Sequence, residues 1–316
     1  MKHMQIYNDL ASMNLPNYTV CGIGNFDGVH KGHQELIKKL LCTAKEKYLD
    51  SLILTFEPHP LKVLSPNSNI KLITTLEQKK KIMRSYGIDH FVLAPFTDEF
   101  SKIDYTDFIY DILIKKCRAK VVVVGYNYRF GYKGRGTAEA LKEICGKNGI
   151  DTIIIPQVTY NGYTVSSTLI RELIEKGDVK TAAELLGRPF TIEGIVKPGN
   201  SIGKKIGFPT ANIAPEENIV LPPRGVYAVL ARRENNVHTG IANLGVKPTF
   251  NGSNLVLEVH LFDFNRELYG ENLEIMFIER LRPEFKFATV KDLVRQIQQD
   301  ILQAKEIFKI NAVELI

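Results

Sequence analysis

Apolar residues in the first half of the chain recur in two alternating rhythms. Continuous β-branched and aliphatic runs at Tyr18–Ile23, Leu52–Phe56, Phe91–Pro95, Val121–Gly125 and Thr152–Ile155 predict strands buried on both faces. Between them, segments near 33–48, 75–87, 104–117 and 136–147 have helical spacing, as in Leu36, Ile37, Leu40, Leu41, Ala44 and Tyr48. Strands alternating with helices imply a parallel sheet wrapped by helices. Two further helical segments follow, Thr168–Lys176 and Val179–Leu186. Gly177 is placed to cap the first at its C-terminus, and Asp178 to open the second.

After Leu186-Gly187-Arg188-Pro189 the rhythm changes. Phe190–Val196, Val226–Ala231, His238–Leu244, Leu255–Phe264 and Leu273–Ile278 read as strands with Gly, Pro and Asn between them and no helices, which predicts an antiparallel barrel or sandwich. A last helix starts after Thr289 and runs to about Phe308, its stripe of Leu293, Val294, Ile297, Ile301, Ala304 and Phe308 suited to packing on the barrel. The boundary is expected near 186–188, dividing the chain into 1–186 and 187–316.

Length allows one large domain or two ordinary ones, and the apolar and charged fractions are those of a globular protein. No run is long and apolar enough for a membrane span, and the first residues lack the apolar core of an export signal. Cys21, Cys42, Cys117 and Cys145 are scattered, which argues against disulfides and thiolate zinc and points to reducing cytoplasm. The formal charge of +6 suits small anionic substrates better than a nucleic-acid duplex, and no basic stripe is present. Lys79-Lys80-Lys81 is expected on the solvated face of a helix.

The most informative stretch is Gly-Asn-Phe-Asp-Gly-Val-His-Lys-Gly-His at 24–33, where the first strand turns into the first helix. Unpaired backbone N–H groups and the helix dipole favour phosphate at such a point. Gly28 and Gly32 permit close approach, and His30 and His33 offer donors to phosphoryl oxygens. The spacings fit neither Gly-x-Gly-x-x-Gly nor a Walker A loop, and no third ligand completes a metal set with the two histidines. Phe56–Pro60 and Val124–Gly131 fall at the carboxyl ends of strands, where open parallel sheets bind ligands. Ser166–Arg171 opens a helix with hydroxyls and an arginine, although Ser167 and Thr168 could simply cap it.

In the second half, Gly199-Asn-Ser-Ile-Gly203-Lys204-Lys-Ile-Gly207-Phe-Pro-Thr210-Ala-Asn212 suits a loop around phosphates. Thr210 and Asn212 are candidate oxygen ligands to Mg²⁺ or phosphate, though Pro-Thr-Ala-Asn alone could be an ordinary turn. In Leu255–Phe262 the period of two sets Leu255, Leu257, Val259 and Leu261 against Val256, Glu258, His260 and Phe262. A carboxylate in so apolar a strand is either paired structurally or functional, and desolvation would make Glu258 a better base.

Gly24–His33, Phe56–Pro60, Val124–Gly131 and Ser166–Arg171 resemble the successive motifs of the FMN adenylyltransferase module of bacterial bifunctional riboflavin kinase/FAD synthetases. The second-half segments, with Gly225–Tyr227, Gly245–Phe250, Leu268–Gly270 and Arg280–Glu284, resemble the riboflavin kinase module. The resemblance implies a Rossmann-like nucleotidylyltransferase domain over 1–186. Over 187–316 it implies a six-stranded antiparallel β-barrel with a C-terminal helix. It implies that the barrel phosphorylates riboflavin to FMN with ATP and Mg²⁺, and that the first domain joins FMN to the adenylyl group of ATP, giving FAD and pyrophosphate. His30, His33 and Glu258 are then the catalytic candidates. Gly24, Phe26, Asp27, Gly28, Asn127, Ser167, Thr168 and Arg171 would hold ATP in the first domain, and Gly199, Gly203, Lys204, Gly207, Thr210 and Asn212 in the second. Asn127 stands where many members carry an acidic residue, Lys204 replaces a common arginine, and Tyr126 and Tyr128 could tune the flavin pocket. An alternative keeps only the adenylyltransferase active, with the barrel as a flavin-binding regulator.

Overall fold

The computed structural model describes residues 4–67, 69–198, 203, 206–249 and 252–311. By packing, the chain forms two compact units, Met1–Ser167 and Thr168–Ile316.

The first unit is built on a six-stranded sheet: β1 (Gln5–Tyr7), β2 (Thr19–Ile23), β3 (Asp50–Glu57), β4 (His90–Pro95), β5 (Ala119–Gly125) and β6 (Asp151–Ile155). The order is β1-β4-β3-β2-β5-β6 and every pair is parallel. Alternate residues serve two apolar layers. Cys21, Leu52, Leu54, Val122 and Val124 pack on one face, while Val20, Ile53, Phe91, Val121 and Val123 pack on the other. Helix α1 (Lys31–Lys47) seals the second layer with Leu36, Ile37 and Leu40. The capping box of Thr75 and Gln78 opens α2 (Leu76–Tyr86), and Thr137 caps α3 (Ala138–Lys147).

Two features depart from the periodicity. β1 is an edge strand too short to stand out in the sequence. The segment expected as a helix near 104–117 opens with a single turn, Tyr105–Asp107, and continues as a π-helix over Phe108–Lys116, ended by a 2.7 Å bond from Cys117 N–H to the Ile112 carbonyl.

Helix α4 (Ser167–Lys176), of which Thr168 onward belongs to the second unit, meets α5 (Val179–Leu186) at Gly177, which takes a φ of 86°, and Asp178 caps α5 through Thr181 N–H at 3.0 Å. By packing, the chain from Thr168 onward groups with the barrel. The barrel comprises β7 (Phe190–Lys197), β8 (Ala211–Ile213), β9 (Gly225–Arg233), β10 (Asn236–Thr249), β11 (Gly252–Leu261) and β12 (Asn272–Pro283), closed in the order β7-β8-β11-β10-β9-β12. All of its ladders are antiparallel. Phe190, Tyr227 and Phe277 fill the interior in tilted and edge-on contacts. Helix α6 (Val290–Asn311) lays Ile297, Ile301, Ala304 and Phe308 on an outer patch of Val226, Ala228, Ile241 and Phe262.

Candidate active sites

The loop after β2 leaves the sheet between β3 and β5, where the strand order reverses, which is the usual ligand crevice of an open parallel sheet. Phe26 and Val29 are both held at positive φ, 49° and 41°, and a β-branched residue there is strained. This kink delivers His30 as the N-cap of α1, its Nδ1 accepting from the His33 backbone N–H at 3.3 Å. The bond leaves the proton of a neutral His30 ring on Nε2. The two imidazoles stack at 3.7 Å with 15° between their planes, and Phe26 backs His33 at 5.2 Å. Gly32 makes room for this pair, since a Cβ there would lie 3.1 Å from the His30 ring. His33 has no partner for its buried Nδ1. Burial first, then the neighbouring His30 and Lys79, hold its pKa well below the usual imidazole range.

Asp27 is engaged in holding the loop. Its buried carboxylate accepts from the backbone N–H groups of Ile73 and Thr74 at 2.9 and 3.3 Å, while Thr74 Oγ1 accepts from Gly28 N–H at 3.1 Å. Gly24 N–H donates back to the Leu54 carbonyl at 3.2 Å. Ser167 Oγ donates to the Asp27 carbonyl at 2.9 Å, so the hydroxyl belongs to the same scaffold. Asn127 stands exposed beyond the end of β5. Tyr126 is exposed nearby, whereas Tyr128 turns inward, stacks on Phe130 at 5.4 Å and buries its hydroxyl, whose pKa burial raises. Thr168 and Arg171 lie on α4, exposed and half-buried respectively.

The lysine run departs from expectation. Lys79 is not solvated: it is 6% exposed and donates to the Asn25 carbonyl at 2.8 Å. A readable signal was its spacing from Leu76 and Met83, which puts it on the apolar stripe of α2.

The second unit holds a cavity of about 390 Å³. Thr210, Asn212, Asn243, Glu258 and His260 form part of its wall, and Phe208, Leu293 and Ile297 supply apolar surface. Glu258 faces Asn212 in the β8–β11 ladder and Asn243 in the β10–β11 ladder, and directly opposed residues project to the same side. The expected alternation holds, with Leu257, Val259 and Leu261 buried in the barrel and Glu258 and His260 on the cavity side. His260 Nδ1 donates to the Pro209 carbonyl at 2.9 Å and its ring meets Phe208 edge-on, which pins the loop that presents Thr210. Gly203 also lines the cavity, and a Cβ there would strike the Phe208 carbonyl oxygen at 2.3 Å. Gly207 turns the loop with a φ of 90°. Gly199 and Lys204 lie outside the described residues.

At the far wall, Arg282 on β12 makes a bidentate ion pair with Asp300 on α6, with contacts of 2.8 to 3.0 Å. Gln296 adds a bond to the same carboxylate at 3.0 Å, and Phe285 lies 4.5 Å from the guanidinium. The pair ties the helix to the barrel beside the cavity.

Residues 12–169 match the FAD synthetase family and residues 186–308 match the riboflavin kinase family. A bifunctional riboflavin kinase/FMN adenylyltransferase of Buchnera aphidicola is 38% identical over 98% of this chain and 100% of its own length. The chain belongs to the bifunctional riboflavin kinase/FMN adenylyltransferase family. The Bacillus subtilis and Escherichia coli members are 37% and 35% identical, each over 92% of both chains. A solved structure described as a macrolide-efflux protein from Streptococcus pneumoniae superposes with a TM-score of 0.87 at 32% identity, covering 96% of this chain and 98% of its own. Among the described residues of this family member, no helix is long and apolar enough to cross a membrane.

Proposed function

We infer that this protein is a bifunctional transferase that phosphorylates riboflavin to FMN in its barrel and adenylylates FMN to FAD in its first unit. One observation carries the reading: each compact unit holds its own polar centre, and the two are chemically unlike. Stacked histidines at a helix start serve one, and a carboxylate between two asparagines serves the other.

In the first unit, an oxygen of the FMN phosphate attacks the α-phosphorus of ATP, and the bond to the β-phosphate breaks to release pyrophosphate. No protein nucleophile is needed, so the chain contributes position and charge compensation. His30 donates from Nε2 to a phosphoryl oxygen, and His33 beside it does the same as a neutral ring. Asn127 contacts the nucleotide. Gly24, Phe26, Asp27, Gly28 and Ser167 act through the shape of the loop.

In the barrel, Glu258 accepts the proton of the riboflavin 5′-hydroxyl as its oxygen attacks the γ-phosphorus, and ADP leaves. Gly203 and Gly207 shape the phosphate loop, and Gly199 and Lys204 are assigned to phosphate binding from the sequence alone. A hydroxyl, an amide and a carboxylate around one cavity are hard oxygen donors, which fits Mg²⁺ bound together with ATP phosphates. Thr210 and Asn212 would hold the ion, which supplies neutralisation of phosphate charge when bound. A cytoplasmic site of action is part of this reading, supported by the free cysteines Cys21, Cys42, Cys117 and Cys145. Both half-reactions are tested by incubating the protein with Mg²⁺ and ATP plus riboflavin, then plus FMN, and separating the flavins by chromatography. FMN and FAD are expected respectively. A chain that makes FAD from FMN but no FMN from riboflavin would favour the regulatory reading of the barrel.

A further inference from the structure

Among the described residues, Lys79 is the buried lysine, and the chemistry above does not use it. A buried lysine is rare unless paired, and this one faces two carboxylates, Asp27 from the loop and Glu57 from the end of β3. Its single hydrogen bond goes to neither. The ammonium donates to the Asn25 carbonyl at 2.8 Å, and Thr55 Oγ1 on β3 donates to the same oxygen at 3.2 Å. Asn25 immediately precedes Phe26, where the backbone enters the left-handed region and begins the kink that ends at His30. Phe26 in turn packs on His33, and His33 on His30. The ammonium therefore stands at the head of a short run of contacts that ends in the two imidazoles.

We propose that Lys79 is a positioning residue for adenylyl transfer: its buried ammonium, bound to the Asn25 carbonyl, fixes the loop that carries His30 and His33. The inference rests on the adenylyl-transfer reading above. A charge-assisted bond to a carbonyl is about twice as strong as a neutral one, so Lys79 rather than Thr55 dominates at this oxygen. The charge has a second effect. It faces His33 together with His30, and both disfavour an imidazolium there. Asp27 and Glu57 restrain the ammonium in place and oppose the cost of its burial. Lys79 thus fixes the place of the His33 ring and adds to burial and His30 in keeping it neutral.

The test uses full-length protein with Lys79→Met and Lys79→Gln, the second retaining a donor while removing the charge, and Thr55→Val as the uncharged comparison. FAD formation from FMN is followed alongside FMN formation in the barrel, and His33 is titrated by NMR of histidine-labelled protein. Both Lys79 variants are expected to lose roughly ten- to a hundredfold in kcat for FAD formation. FMN formation should be unchanged, and the His33 midpoint should rise. Thr55→Val should leave that midpoint where it is. FAD formation within twofold of wild type in either folded Lys79 variant would overturn the proposal. So would a His33 midpoint in the wild-type protein at or above the ordinary imidazole value, a result that needs no variant. Wild-type protein that made no FAD would overturn the underlying reading as well, so the two failures are told apart.

Discussion

Asn212 on β8 lies directly opposite Glu258 on β11. A carboxylate in an apolar strand is costly unless it is partnered or used, and here an amide stands across from it inside a cavity wall. The Glu258→Gln variant should therefore keep the fold and lose FMN formation by about a hundredfold or more, with FAD formation from FMN retained. Chromatography of the two reactions run separately checks this, and equal loss of both would refute the assignment.

The His30→Ala/His33→Ala double variant should show the reverse pattern. Removing both donors is expected to lower kcat for FAD formation by about a thousandfold while riboflavin phosphorylation proceeds. If FAD formation survives, the stacked pair is a packing feature of the α1 start.

Asp27 offers a contrast, because its carboxylate serves backbone amides. Asp27→Ala would strand the Ile73 and Thr74 N–H groups in a buried place, at about 2 kcal/mol or more. Thermal unfolding of the first unit should fall accordingly, and Asp27→Asn, which retains an acceptor, should lose less. An unchanged midpoint in Asp27→Ala would mean that the amides find other partners.

His33 makes the first unit sensitive to acid. Its folded pKa lies below the ordinary value of 6.5, so the unfolded chain binds the proton more readily. Its effect is absent above about pH 6.5, and stability falls as the pH drops from there toward the depressed folded value. Thermal midpoints measured across that window should decline less steeply in His33→Gln than in wild type.

Asp300 is 2% exposed and bound bidentately by Arg282. Breaking the pair with Asp300→Leu leaves a guanidinium without its counter-charge, which costs about 3 to 5 kcal/mol in buried settings. Denaturant unfolding of the barrel should report the loss, and an equal midpoint would place the pair among those contributing nothing.

Most of the strands and helices were legible because burial on two faces, or along one stripe, leaves a period in the sequence. β8 was not, since three residues, Ala211–Ile213, carry no period, and its neighbours Pro209 and Thr210 read as loop. That strand is nevertheless what sets Asn212 across from Glu258. The His-x-Gly-His stretch and Glu258 stood out because each breaks its surroundings, the first by glycines and imidazoles, the second by charge among aliphatics. Lys79 was hidden by two neighbouring lysines that share its type but not its face of α2. Asp300 was masked in the same way, as one of three acids, with Asp292 and Glu306, on a regular amphipathic helix.

The Arg282–Asp300 clasp makes the last helix more than a cover for the barrel. Leu293 and Ile297 from that helix wall the same cavity as Glu258, so the cavity is closed only once α6 has docked on the barrel. A chain lacking α6 would keep the described barrel strands and leave that pocket open on the side Leu293 and Ile297 now close.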